Sequence, residues 1–237
     1  MTLRIGMLTP SSNTVLEPVT AAMVRELADV TAHFARFKVT EIALDRAALG
    51  QFDDQPMLAA AELLGHAHVD VVTWNGTSAS WLGLDRDRAL ADRLAAAAGA
   101  PASTCVLALF DLFSRANIRS IGLVTPYTAD VQARIAEVYG REGVRVVAES
   151  HLGIRDNFTF GTVDAATLDG QVATVAAAKP DAIVILCTNV AGAPHAARWE
   201  DEHGVAVVDS CVVTLDGALR AAGRSGFQAP RWGRLFA

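Results

Sequence analysis

Asp181-Ala182-Ile183-Val184-Ile185-Leu186-Cys187-Thr188-Asn189 decides how this chain is read. A run of apolar residues, Ala182 to Leu186, stops abruptly at a thiol, a hydroxyl and an amide. A half-exposed strand alternates apolar with polar residues, so an unbroken apolar run of this length fits a parallel strand buried on both faces. In open α/β sheets, ligands gather outside the carboxyl ends of the strands. That rule sets Cys187 at the lip of a pocket, although a free cysteine is by default a small core hydrophobe.

Working outward, the same pattern recurs along the chain. Ser120-Ile121-Gly122-Leu123-Val124-Thr125-Pro126 echoes Arg4-Ile5-Gly6-Met7-Leu8-Thr9-Pro10, with Gly122 standing 116 positions after Gly6. Strands are expected at Arg4–Thr9, Val30–Phe37, Val69–Thr73 and Ala102–Thr104, then at Ser120–Pro126, Val144–Ser150, Ala182–Leu186 and Val205–Asp209. Helical spacing falls between them at Glu17–Leu27, Met57–Ala67, Asp85–Ala98, Cys105–Ala116, Ala129–Glu142, Ala165–Ala178 and Cys211–Ala222. Pro18 is tolerated in a first helical turn and Gly99 is a usual C-terminal stop. Alternating strands and helices predict an α/β fold with mainly parallel sheets. The echo predicts two similar halves, 1–116 and 117–237, meeting across a cleft, with a C-terminal helix that can cross over. It also pairs two strand ends: Gly76-Thr77-Ser78 in the first half, and Cys187-Thr188-Asn189, whose thiol lies 111 positions after Gly76, in the second.

Composition narrows the class. The 237 residues are 51% hydrophobic but 6% aromatic, which suits Ala- and Val-rich helices packed on parallel strands. A net charge of −6 without a basic run argues against nucleic acid. The start runs straight into a strand, and no apolar stretch reaches membrane length, so the expectation is a cytoplasmic protein. Cys105, Cys187 and Cys211 are too few for a disulfide framework, the six histidines lack metal-type spacing, and no Gly-rich dinucleotide loop follows the first strand. No metal and no cofactor is implied. Assembly as a homo-oligomer is left open.

At these turns and strand ends the chain resembles the aspartate/glutamate racemase superfamily, in its branch of arylmalonate decarboxylase and maleate cis-trans isomerase. Pro10-Ser11-Ser12-Asn13 is similar to the first-strand turn of the isomerases, whose asparagine binds a substrate carboxylate. Asp156-Asn157 is similar to their second carboxylate-binding segment. Thr125-Pro126-Tyr127 matches a Tyr-bearing turn found in both groups, and Cys187-Thr188-Asn189 resembles the isomerases most. Trp232-Gly233-Arg234-Leu235-Phe236 resembles the decarboxylase terminus. The resemblance implies a cofactor-free enzyme with two pseudo-symmetric flavodoxin-like halves, acting on a small dicarboxylic acid in the cleft between them. It implies substrate-binding roles for Ser11, Asn13, Asn157, Thr188 and Asn189, and catalytic ones for Cys187, Gly76, Thr77, Ser78 and Tyr127.

One departure separates the reactions. Where isomerases and racemases carry a first-half cysteine, this chain has Gly76, followed by Thr77-Ser78 as in the decarboxylases. A racemase needs two thiols, and an isomerase of this type needs a thiolate to add to the double bond. A decarboxylase needs one acid to protonate an enediolate, and preorganised donors for the carboxylate that remains. Cys187 is therefore expected to act alone, with Thr77, Ser78 and Tyr127 as hydroxyl donors and Gly76 allowing close backbone approach. A cysteine introduced at position 76 is expected to reach the opposite face and racemise the product. Against this stand Asn13, Asn157 and Asn189, which suit a firmly held dicarboxylate: a maleate isomerase, an Asp/Glu-type racemase or a silent binding protein. Thr77 and Ser78 are equally suited to capping the helix near Asp85, and Trp74, Phe158 and Phe160 to keeping the site dry.

Overall fold

The computed structural model describes residues 2–237, with positions 46 and 47 described in backbone only. The first half contains β1 (Leu3–Pro10), α1 (Leu16–Val24), β2 (Val30–Phe37), α2 (Arg46–Gly50), α3 (Asp54–His66), β3 (Val71–Trp74), α4 (Ala79–Leu82), α5 (Leu84–Ala98), β4 (Ala102–Thr104) and α6 (Cys105–Arg115). The second contains β5 (Ser120–Thr125), α7 (Ala129–Arg141), β6 (Arg145–His151), α8 (Asn157–Phe160), α9 (Ala165–Ala176), β7 (Ala182–Ile185), α10 (Ala196–His203), β8 (Ala206–Asp209) and α11 (Ser210–Ala221). Two parallel sheets result, ordered β2-β1-β3-β4 and β6-β5-β7-β8. The identical order makes the halves pseudo-symmetric, so the repeat read from the sequence is a repeat of topology.

The echo has a packing cause. Gly6 in β1 faces Leu64 and Val69, and Gly122 in β5 faces Val175 and Pro180, so that a Cβ at either position would lie 3.3 Å or less from those side chains. Glycine lets the covering helix close on the central strand in both halves. Strands β3 and β7 are buried along their whole length, as expected of apolar runs covered on both faces. The last helix, α11, is buried from Ser210 to Leu219. It packs on α6, β3 and β4 as well as on β8, so the C-terminal helix crosses to the first sheet.

Four short helices, α2, α4, α8 and α10, are absent from the sequence reading; none exceeds eight residues, too short for an apolar period to show. A strap from Lys38 to Asp53, between β2 and α3, reaches across to the second half. There the Ile42 N–H donates to the Arg155 carbonyl at 2.8 Å, and the Asn157 N–H donates to the Thr40 carbonyl at 2.9 Å. Arg155 pairs with Asp45 at 2.6 Å and with Glu41 at 3.5 Å. No helix among the described residues is long and apolar enough to cross a membrane.

Candidate active site between the two sheets

The carboxyl ends of β3 and β7 open onto one cavity. Its wall takes Pro10, Val39, Ile42, Phe52, Trp74, Gly76, Thr77, Ser78 and Trp81 from the first half, and Tyr127, Asn157, Cys187 and Thr188 from the second. About 20 Å³ is open to the centre of a water-sized sphere, room for roughly one water. The entry of a dicarboxylate therefore requires part of the wall to move.

Cys187 is the one thiol among the described residues that lines the cavity. Its Sγ accepts from the Asn189 N–H at 3.4 Å. Burial pushes its pKa up to about 12, partly opposed by the Asn189 amide and the Tyr127 hydroxyl and reinforced by the charge of Asp209. The group is a thiol, and no cation among the described residues lowers its pKa. Cys105 and Cys211 lie in the core, as their helical positions suggest; their sulfurs contact the Ser210 and Thr188 carbonyls at 3.5 Å.

Hydroxyls gather beside the thiol, that of Tyr127 within hydrogen-bonding reach of it. Thr77 Oγ1 and the Tyr127 hydroxyl are 2.7 Å apart, joining the two halves directly. Tyr127 is wedged between Trp81 and Phe160, with both ring centroids at 5.5 Å. Burial raises its pKa well above the ordinary phenol value, so it remains a donor. Ser78 precedes α4 without capping it, and Gly83 precedes α5. The hydroxyls of Thr77 and Ser78 are thus free of the capping duty that the sequence equally allowed. Ser78 Oγ instead accepts from Trp74 Nε1 at 3.4 Å.

The structure separates the remaining residues named from the sequence. Asn157 and Thr188 line the cavity, whereas Ser11, Asn13 and Asn189 do not. Ser11 is exposed and bonds to the backbone of Val39. Asn13 Oδ1 accepts from the Val15 and Leu16 N–H groups at 3.0 and 2.9 Å, starting α1, and its Nδ2 donates to Thr188 Oγ1 at 3.2 Å. Asn189 Oδ1 accepts from the N–H groups of Thr14 and Val15, and its Nδ2 donates to the Asn157 carbonyl. Both asparagines fasten one half to the other, each Nδ2 through one of its two N–H donors. Asn157 Nδ2 donates to Ser12 Oγ at 2.7 Å, and Thr188 Oγ1 donates to the Asn75 carbonyl at 3.2 Å. Phe160 backs Tyr127 from the core, while Phe158 is exposed.

Position 76 corrects one expectation. A Cβ on Gly76 would lie 2.0 Å from Trp74 Cζ2 and 2.5 Å from Cε2 and Cη2. The space a first-half cysteine would use is filled by indole, so a cysteine introduced there has no room beside Trp74. Sequence reading also missed Pro10, Val39, Ile42, Phe52 and Trp81. Three of these lie on the strap, whose residues carry no periodic pattern to read.

Two four-stranded parallel sheets with their helices form an α/β fold, with one cavity lined from both halves. A sequence profile described as arylmalonate decarboxylase matches residues 6–236, and the chain belongs to that family. A maleate isomerase of Pseudomonas putida is 28% identical over 230 residues, covering 92% of this chain and 91% of the relative. The arylmalonate decarboxylase of Bordetella bronchiseptica is 30% identical over 169 residues, covering 70% of each. The crystal structure of the maleate isomerase Iso from Pseudomonas putida S16 superposes with a TM-score of 0.91 at 25% identity, covering 100% of this chain and 98% of the other.

Proposed function

We propose that this chain is a cofactor-independent decarboxylase of a malonate-type dicarboxylic acid, with halves 1–116 and 117–237 sharing one cavity. The observation that carries the reading is the pairing of one protonated thiol, Cys187, with a Gly76 whose side-chain space is closed by Trp74. The Thr77 and Tyr127 hydroxyls hold the retained carboxylate, with Ser78 beside them. The apolar wall of Val39, Ile42, Phe52, Trp74 and Trp81 leaves the departing carboxylate poorly solvated. Donors fixed in place before the charge develops, in a water-excluded site, lower the barrier to its development.

Loss of carbon dioxide breaks the bond from the α-carbon to one carboxylate. The electron pair stays on the α-carbon and delocalises into the other carboxylate as an enediolate. Cys187 then supplies the proton of the new C–H bond; sulfur keeps the electron pair as a thiolate and regains a proton from solvent. A thiol pKa of about 12 suits this role, because the proton stays in place until a strongly basic carbon forms beside it. Addition of a thiolate to a double bond asks for the opposite, a depressed thiol pKa.

A second reading, isomerisation of a maleate-like substrate, draws support from Asn157 and Thr188, which add polar atoms to the cavity and suit two bound carboxylates. A racemase of acidic amino acids or a silent dicarboxylate-binding protein would use the same donors. Incubation with substituted malonates, maleate and acidic amino acids in deuterated water, followed by proton NMR, separates these. The expected result is a monocarboxylate carrying one solvent deuteron, formed as a single enantiomer when the malonate is prochiral. Conversion of maleate to fumarate, or α-deuteration of an amino acid, overturns the one-thiol mechanism.

A further inference from the structure

We infer that Trp74 sets the substrate range of this chain, admitting malonates substituted by hydrogen or a short alkyl group and excluding those that carry an aryl ring. The inference rests on the decarboxylase reading for its substrate class, and on the geometry of Trp74 for its content. The indole lies over Gly76, on the wall of the cavity that also takes Cys187. It is 1% exposed, its ring centroid is 5.1 Å from that of Phe37, and its Nε1 reaches Ser78 at 3.4 Å.

Not all of the wall is equally fixed. Val39, Ile42 and Phe52 belong to the strap, which is tied to the second half by two backbone hydrogen bonds and the exposed ion pairs of Arg155. Trp74 is the last residue of β3, hydrogen-bonded in register between β1 and β4. Trp74 is thus held by the sheet, independently of the strap. An enclosed benzene ring takes a cavity of about 150 Å³, against the 20 Å³ open here. On this inference a carboxylate pair with a small substituent is accommodated beside the indole, and an added aromatic ring competes with the indole for volume. The same ring fills the side-chain space of position 76, so substrate size and the lack of a second thiol there share one cause.

Binding is measured by isothermal titration and by ligand-induced thermal stabilisation for malonate, methylmalonate and phenylmalonate. Decarboxylation is followed in parallel, and the proteins are wild type, Trp74→Ala and Trp74→Leu. The wild type is expected to prefer methylmalonate to phenylmalonate by at least about 100-fold, the scale on which a pocket rejects groups it has no room for. Either substitution is expected to reduce that ratio at least about tenfold; Trp74→Leu retains more of the packing should the alanine variant fail to fold. Equal binding of both malonates by the wild type, or an unchanged ratio in a folded variant, overturns the assignment. A ratio that collapses in the variants while no malonate loses carbon dioxide refutes the decarboxylase reading and leaves Trp74 as the size gate. Absence of binding by every malonate refutes both.

Discussion

Asn189→Ala distinguishes a residue that holds the fold from one that holds the substrate. Thr14 N–H loses a 2.9 Å partner, Val15 N–H loses a 3.2 Å one, and the Asn157 carbonyl loses its donor. The three losses are unequal. Val15 keeps the Asn13 carboxamide at 3.0 Å, and Thr14 is exposed enough for its N–H to reach water. The Asn157 carbonyl belongs to a buried residue and its bond is buried, and an unsatisfied buried group costs about 1–3 kcal/mol. With about 0.5–1 kcal/mol for the exchange at Thr14, the sum is about 1.5–4 kcal/mol of stability. Urea unfolding followed by circular dichroism measures it as a drop in the midpoint of about 0.5 M or more for a slope of 1–3 kcal/mol/M. A change below about 0.5 kcal/mol, within the range of ordinary surface substitutions, together with a large rise in KM, would refute the structural account and restore Asn189 to the substrate.

Cys187→Ser is expected to lower kcat by about 10²–10⁴, the contribution of a positioned acid, with the melting temperature nearly unchanged because shape is conserved. Tyr127→Phe leaves the Thr77 hydroxyl without its 2.7 Å partner, and is expected to lower kcat/KM by about 10²–10³, the scale of one lost oxyanion donor. Steady-state kinetics with a substituted malonate checks both. Burial raises Asp87 and Asp209 from 3.8 to about 7 in the folded protein. The folded state therefore holds protons that the unfolded chain has released, and stability from this source is complete below about pH 4 and lost as pH rises through about 7. Melting curves at pH 5 and pH 8 should show a drop that is smaller in Asp87→Asn and in Asp209→Asn; an unchanged drop in both would refute the assignment.

Much of the fold was legible because it rests on repeated local signals. The apolar run of β7, the Gly6/Gly122 echo and the helical spacing between strands all answer to burial on two faces of a parallel sheet. The site was legible where strand ends deliver it: Gly76, Thr77, Ser78, Cys187 and Thr188 follow β3 and β7, and they line one cavity. Its other half was not. Asn13 and Asn189 have the residue type that binds carboxylates, and only their bonding partners show that those amides are already engaged. Trp74 reads as core in any sequence, and the distance from its ring to position 76 decides what that core residue excludes.

The strap between β2 and α3 makes access to the cavity something a clock can follow. Its two backbone ties place the amide proton of Ile42 on one half of the molecule and that of Asn157 on the other. The ion pairs of Arg155 beside them are exposed, and such pairs contribute at most about 1 kcal/mol each and weaken with added salt. Hydrogen exchange at those two amides therefore runs at the pace at which the strap lifts, and quickens with ionic strength. On the proposed function, a dicarboxylate in the cavity that Ile42 and Asn157 line is expected to slow both amides together, so two protons far apart in sequence keep the same time.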